Sequence, residues 1–146
     1  MTIETWTIVG VIATVLGTLI AAYQVLPRRR AKQEKMERRQ ALTRGLQAAK
    51  SLQTIRPEQF AQRLNNPDDL PLAEMEAVET LFLLKPYIQD PDCHQHLGVL
   101  CGVFDTVRRE KSRVRINEKD VASRVKTLQG RIQWFVDDAR AEISSR

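Results

Sequence analysis

Aromatic residues are scarce in this chain of 146 residues: two Trp, two Tyr and four Phe. Gly and Pro number six each, and cysteine two. Sheets rely on aromatic and β-branched side chains and on frequent turn residues, so this composition disfavours a sandwich or barrel. No period-2 alternation of useful strength appears, and no internal repeat or low-complexity segment. Signatures of catalysis are missing as well. There is no Gly-rich phosphate loop, no Gly-x-Ser-x-Gly elbow and no spaced acid/base pair. Enzyme activity is not expected, and no cofactor is implied.

Charge is missing from one stretch. Residues 6–26, WTIVGVIATVLGTLIAAYQVL, hold 21 residues without an Asp, Glu, Lys or Arg. At the helical rise that is about 31 Å, the thickness of a bilayer's hydrocarbon core. Three identities compete. A cleaved leader wants a basic start and a shorter apolar run, but this start is Met-Thr-Ile-Glu-Thr. A core helix of this length is unusual in so small a protein. A retained transmembrane helix fits both length and flanks. Trp6 and Tyr23 stand near its two ends, where amphipathic aromatics favour the headgroup zone.

Positive charge is abundant just after the span. Arg28, Arg29, Arg30, Lys32, Lys35, Arg38 and Arg39 follow it, and no base precedes it. The positive-inside rule then places the N-terminus outside and the C-terminal part in the cytoplasm, with a bacterial inner membrane as the expected host. Fixing topology is a sufficient role for these bases; contact with anionic headgroups adds about 1 kcal/mol per residue. Residues 28–56 hold ten Lys/Arg against Glu34 and Glu37, whereas residues 57–146 hold 13 Lys/Arg against 15 Asp/Glu. The net charge of +5 therefore belongs to the segment beside the membrane. A nucleic-acid binder would carry it on the folded domain, so nucleic acid is not an expected partner. The expected partners are the lipid bilayer and either another protein or a second copy of the chain.

Small residues recur inside the span. Gly10, Ala13, Gly17 and Ala21 share one face, with Thr14 and Thr18 in the adjacent row. Such a groove lets helices approach closely, and threonine hydroxyls can bond across it. Gly, Ala and Thr are also simply common in membrane helices, so the face is a candidate packing surface and no more.

The rest divides by helical period. The expected organisation is a tail and anchor over 1–27, a basic stalk helix over 28–40 and a cytoplasmic helical domain over 41–146. Pro27 is either a kink or the first residue of a new helix. Leu42, Leu46, Ala49, Leu52 and Ile55 form a stripe that ends at Arg56-Pro57. A short helix follows to about Leu64, then a loop over 65–69. Pro71 opens a helix with Leu72, Met75, Val78, Leu81, Phe82 and Leu84 on its apolar face, and Pro86 kinks or ends it. Residues 92–111 keep helical spacing through Leu97, Leu100, Cys101, Phe104 and Val107. Asn117 is an N-cap candidate with Asp120 three residues on. In the last helix Val121, Val125, Leu128, Ile132, Phe135 and Ala139 form a near-heptad seam, flanked by Trp134 and Val136. The seam can pack inside its own bundle or against a partner.

Cys93-His94-Gln95-His96, with Cys101 beyond, is the one reactive-looking cluster. On a helix Cys93 and Cys101 lie two turns apart, about 11 Å, too far for one ion at bond lengths near 2 Å. Zinc is therefore not expected, and in a reducing compartment neither is a disulfide. Two opposed patches remain, acidic at Asp68, Asp69, Glu74, Glu76 and Glu79 and basic over 108–115, which can pair within the fold or between subunits. The fold expected is all-α: a single N-terminal transmembrane helix and a small cytoplasmic bundle. The function expected is a membrane-tethered, non-enzymatic interaction module or accessory subunit. The alternative is a membrane effector or pore-forming subunit that oligomerises through its span.

Overall fold

A computed structural model describes residues 3–110 and 114–145, with side chains from residue 10 onward. Every regular element among the described residues is helical. α1 spans Ile3–Thr54, α2 Pro57–Leu64, α3 Leu72–Leu83, α4 Pro91–Glu110 and α5 Glu118–Ser144, with a 3-10 turn at Lys85–Tyr87. The chain divides into two compact units, Met1–Arg39 and Gln40–Arg146.

Pro27 lies inside α1, so it starts no new helix. Its missing N–H removes one ladder bond there. At residues 55–56 the helical run stops and Pro57 opens α2 in the first-turn position proline favours. α1 ends on carbonyls that its own ladder cannot satisfy. Gln129 of α5 supplies the donor: its Nε2 donates to Leu52 O at 2.9 Å and to Ile55 O at 2.7 Å.

In the second unit one apolar cluster runs from Leu42 to Ala139 and draws on all five helices. α2 packs on α5, α3 on α4, and α4 on α5. Phe60 and Phe104 meet edge to face at 5.9 Å, the geometry that ring quadrupoles favour. Gly45 is needed where α1 passes α5. A Cβ there would lie 2.7 Å from the Phe135 ring. No polar or charged residue is buried among the described residues.

Local chemistry explains the helix starts. Asn117 Oδ1 accepts from Asp120 N at 3.2 Å and caps α5. Asp90 Oδ1 does the same for Asp92 N at 3.0 Å before α4. The loop after α2 is tied down by Asn65. Its Oδ1 accepts from Ile116 N at 2.7 Å, and its Nδ2 donates to Ile116 O at 3.0 Å. One side chain thus joins the end of α2 to the start of α5. α4 ends at Glu110, and residues 114–117 have no regular structure.

Candidate functional site

The first unit carries an apolar surface that is exposed among the described residues. Val11, Ile12, Val15, Leu16, Leu19 and Ile20 are all more than half exposed. They occupy one half of the circumference, and the small residues Gly10, Ala13, Gly17 and Ala21 on the other half are exposed as well, so the stretch has no polar side. α1 contains the one described helix that is long and apolar enough to cross a membrane. Tyr23, near the end of that stretch, is exposed; the side chain of Trp6, at the other end, lies outside the described residues.

Gly10, Ala13, Gly17 and Ala21 are exposed along this stretch. A Cβ placed on Gly10 or Gly17 would meet nothing within 4 Å. The groove is therefore open to another helix. Thr14 and Thr18 bond locally: Thr14 Oγ1 donates to Gly10 O and Thr18 Oγ1 to Thr14 O, each at 2.9 Å. Their hydroxyl protons already have acceptors, so association does not require them to bond across helices.

Beyond the apolar stretch, Arg28, Arg29, Arg30, Lys32, Lys35, Arg38 and Arg39 are all exposed on α1. Gln33 Nε2 donates to Glu37 Oε1 at 3.0 Å on the same solvated helix. Seven bases in twelve positions make a cationic collar that a phosphate-bearing surface would complement.

The seam of α5 turns inward. Val121, Val125, Leu128, Ile132, Phe135 and Ala139 are buried in the core of their own unit. Val136 joins them. Trp134, its companion in the sequence, faces the other way and is 78 % exposed. Position on the helix explains the split: Val136 follows Ile132 by four residues, whereas Trp134 lies about 200° from Ile132.

The cysteines and histidines of α4 do not converge. Cys93 is fully buried, and Cys101 is half-buried, less sheltered than the sequence suggests. Burial first, then the neighbouring Asp90 carboxylate, pushes the Cys93 thiol up to about 12. Burial, followed by Glu79 and Asp105, pushes Cys101 up to about 11. Such a shift disfavours the thiolate form that a nucleophilic cysteine uses. His94 Nε2 donates to Ile88 O. Arg124 Nη1 donates to His96 Nδ1 at 3.2 Å, and a guanidinium can only donate, so that nitrogen is the bare one. No group of three or more His, Cys, Asp or Glu is placed to hold a metal among the described residues.

Among the described residues one ion pair joins the two charged patches, Arg108 to Glu79, and other acids of the first patch pair with Arg63 instead. Arg63 lies 3.4 Å from Asp69 and 3.3 Å from Glu74. Arg108 lies 2.5 Å from Glu79 and joins α4 to α3. Arg131 grips Asp90 at 3.0 Å and Asp92 at 2.8 Å, fixing α5 to the start of α4. Lys111 and Arg113 of the basic run lie outside the described residues; Arg109 and Arg115 are exposed. A polar groove of about 460 Å³ between α2 and α5 is crossed by the Lys126–Glu58 pair at 2.6 Å. A smaller one, about 220 Å³, lies beside Arg56, Phe60 and Arg63. Neither gathers converging polar groups of the kind a small-molecule site uses.

Three residues with structural or surface roles escape sequence reasoning. Gln129 and Asn65 act on backbone far away in the chain, and no local pattern marks them. Trp134 carried a signal in its helical phase, because it sits off the seam. The chain matches no protein-family model, no curated protein and no solved structure.

Proposed function

We propose that the chain is a membrane-tethered, non-enzymatic protein-interaction module, an accessory subunit of a larger membrane assembly. The observation that carries this reading is the apolar half of α1, exposed on all sides and followed directly by a cationic collar. Apolar surface open all round a helix is stable only in an apolar solvent. In the proposed arrangement residues 6–26 cross the bilayer of a bacterial inner membrane once. The N-terminus lies outside, the arginines and lysines of residues 28–39 sit at the cytoplasmic headgroups, and the helical unit works in the cytoplasm as a small bundle. The raised thiol pKa values and the dispersed histidines support a binding role over a catalytic one.

Crosslinking of the full chain in native membranes should capture a protein partner or a second copy. A strictly monomeric chain with no neighbour would overturn the module reading. Topology is tested separately by reporter fusions at each end; a cytoplasmic N-terminus would overturn the orientation.

A second reading is supported by the open groove at Gly10, Ala13, Gly17 and Ala21. Here the chain is a membrane effector or pore-forming subunit whose spans assemble through that face. Gly17→Leu fills the groove without disturbing the cytoplasmic unit. If overexpression is toxic and Gly17→Leu removes the toxicity, this second reading replaces the first.

A further inference from the structure

We infer that the outward face of α5 is a self-complementary docking row that pairs two copies of this chain antiparallel. The surface differs from both faces considered above. It lies opposite the buried seam. Four residues at i, i+4 spacing make one ridge on that face: Lys126, Gly130, Trp134 and Asp138. All four are exposed, and Trp134 is 78 % exposed. A Cβ on Gly130 would meet nothing within 4 Å, so the backbone there is open to approach.

Read in one direction the row runs positive, small, large, negative. A second copy read in the opposite direction runs negative, large, small, positive. Laid side by side about a two-fold axis at the level of Ile132, Lys126 meets Asp138 of the other copy. Trp134 meets the bare backbone at Gly130. Both matches occur twice, as a two-fold interface requires. Packing of i±4 ridges against one another is the commonest helix-pair class and brings such rows into register. Exposed Trp is also the side chain that most often anchors protein contacts.

Two observations favour a second copy over the bilayer as the occupant. The carboxylates of Asp137 and Asp138 flank Trp134, and anionic headgroups would repel them. The Lys126–Glu58 pair is exposed on both sides, so Lys126 can exchange partners at little loss. Three helical turns offer less than the roughly 1,200 Å² of a standard stable interface, so the free pair is weak. Anchoring both copies in one bilayer, on the reading proposed above, raises their local concentration and compensates.

The test uses the full chain with donor or acceptor fluorescent proteins fused after Arg146, reconstituted in vesicles of phosphatidylethanolamine and phosphatidylglycerol. In the antiparallel pair the two C-termini lie roughly 40 Å apart, within range of energy transfer. Trp134→Ala and Lys126→Glu should each reduce transfer several-fold. The swap Lys126→Glu with Asp138→Lys should restore it, although it leaves the Glu58 pair broken. Gly130→Leu should abolish transfer while raising the thermal midpoint, because leucine favours helix and meets no clash in the single copy. Gly17→Leu should leave transfer unchanged. Transfer that ignores all four α5 variants overturns the inference, as does a Trp134 emission shift into lipid without transfer. Vesicle flotation reports the membrane reading by itself: a chain that does not float but still follows the swap pattern sinks that reading and leaves the pair standing.

Discussion

One helix carries two kinds of apolar surface. Between residues 11 and 26 of α1 the large side chains are exposed, and the remaining surface is made mostly of Gly, Ala and Thr and carries no charge. Between residues 42 and 52 of the same helix the apolar residues form one stripe, and Leu42, Ala49 and Leu52 are buried. The backbone is equally helical in both halves. The difference lies in the solvent each half demands. A stripe needs a protein core on one side and water on the other; an all-round apolar surface needs an apolar surrounding on all sides. Local helix propensity does not distinguish them, but periodicity does.

The sharpest break falls in the core of the second unit. Phe104 is fully buried and meets Phe60 edge to face. Phe104→Ala should cost about 3–5 kcal/mol, combining lost transfer energy with a cavity. Denaturant unfolding followed by circular dichroism of the full chain in detergent checks it. The comparison adds a condition: the variant should stay in the membrane fraction, because the apolar half of α1 owes nothing to that core. Loss below 1 kcal/mol would mean that the site collapses around the gap.

The reverse break falls at the centre of the apolar stretch. Leu16→Arg should cost roughly 2.5–3.5 kcal/mol of membrane insertion, the scale for an arginine at a helix centre. Alkaline extraction of membranes reads it directly. The helical unit should keep its unfolding midpoint. A chain that remains fully membrane-bound after Leu16→Arg would show that something other than this stretch holds it there.

A subtler test addresses the junction at the end of α1. Gln129→Ala removes the side-chain donor from Ile55 O, just past the helix end, and from Leu52 O, which keeps the N–H of Ile55. Leaving the Ile55 acceptor unsatisfied costs about 1–3 kcal/mol. Equilibrium unfolding measures the loss, and amide exchange near residues 52–55 should quicken more than exchange in α4. Equal quickening throughout would assign Gln129 a general packing role instead.

Gln129 also marks where sequence reading stops. The apolar periods of α1, α3, α4 and α5 were legible because burial of a helix face repeats every three or four residues. The break at Pro57 and the cap at Asn117 were legible because proline and asparagine act on the adjacent backbone. Leu72 broke the pattern. It shares the apolar spacing of α3, yet it is exposed in the first turn, where the neighbouring elements do not reach it. Gln129, Asn65 and Arg131 act across long chain separations, so their partners are set by packing and leave no local pattern. Of the candidate surfaces, the cationic collar and the small-residue groove were visible in composition. Trp134 was misplaced beside the seam because its residue type suits a core, while its phase points outward.

Acid sharpens the comparison last and least. Residues 6–26 carry no Asp, Glu, Lys or Arg, so mild acid leaves the charge of this apolar stretch unchanged. The second unit does have groups that respond. Burial on its own would raise the Asp90 pKa. The hydrogen bond from Arg131 and the backbone N–H of Asp92 outweigh it and hold the carboxyl below its usual range. The hydrogen bond from Lys126 lowers Glu58 in the same way. A carboxyl with a depressed folded pKa adds stability that is fully present above its unfolded value, about 3.9 for Asp. That contribution fades as pH falls through the lower folded value. Arg131 stays protonated throughout, so the carboxyl alone sets the window. Both pairs lie near solvent, which screens them, so the loss is small. The midpoint of thermal unfolding should therefore fall slightly from pH 5 to pH 3. Arg131→Met should start from a lower midpoint at pH 7 and fall by less over the same range, because its Asp90 has no guanidinium to lose. Parallel curves for the two proteins would show that the Arg131–Asp90 contact contributes nothing pH-dependent, leaving shape alone to seat α4 on α5.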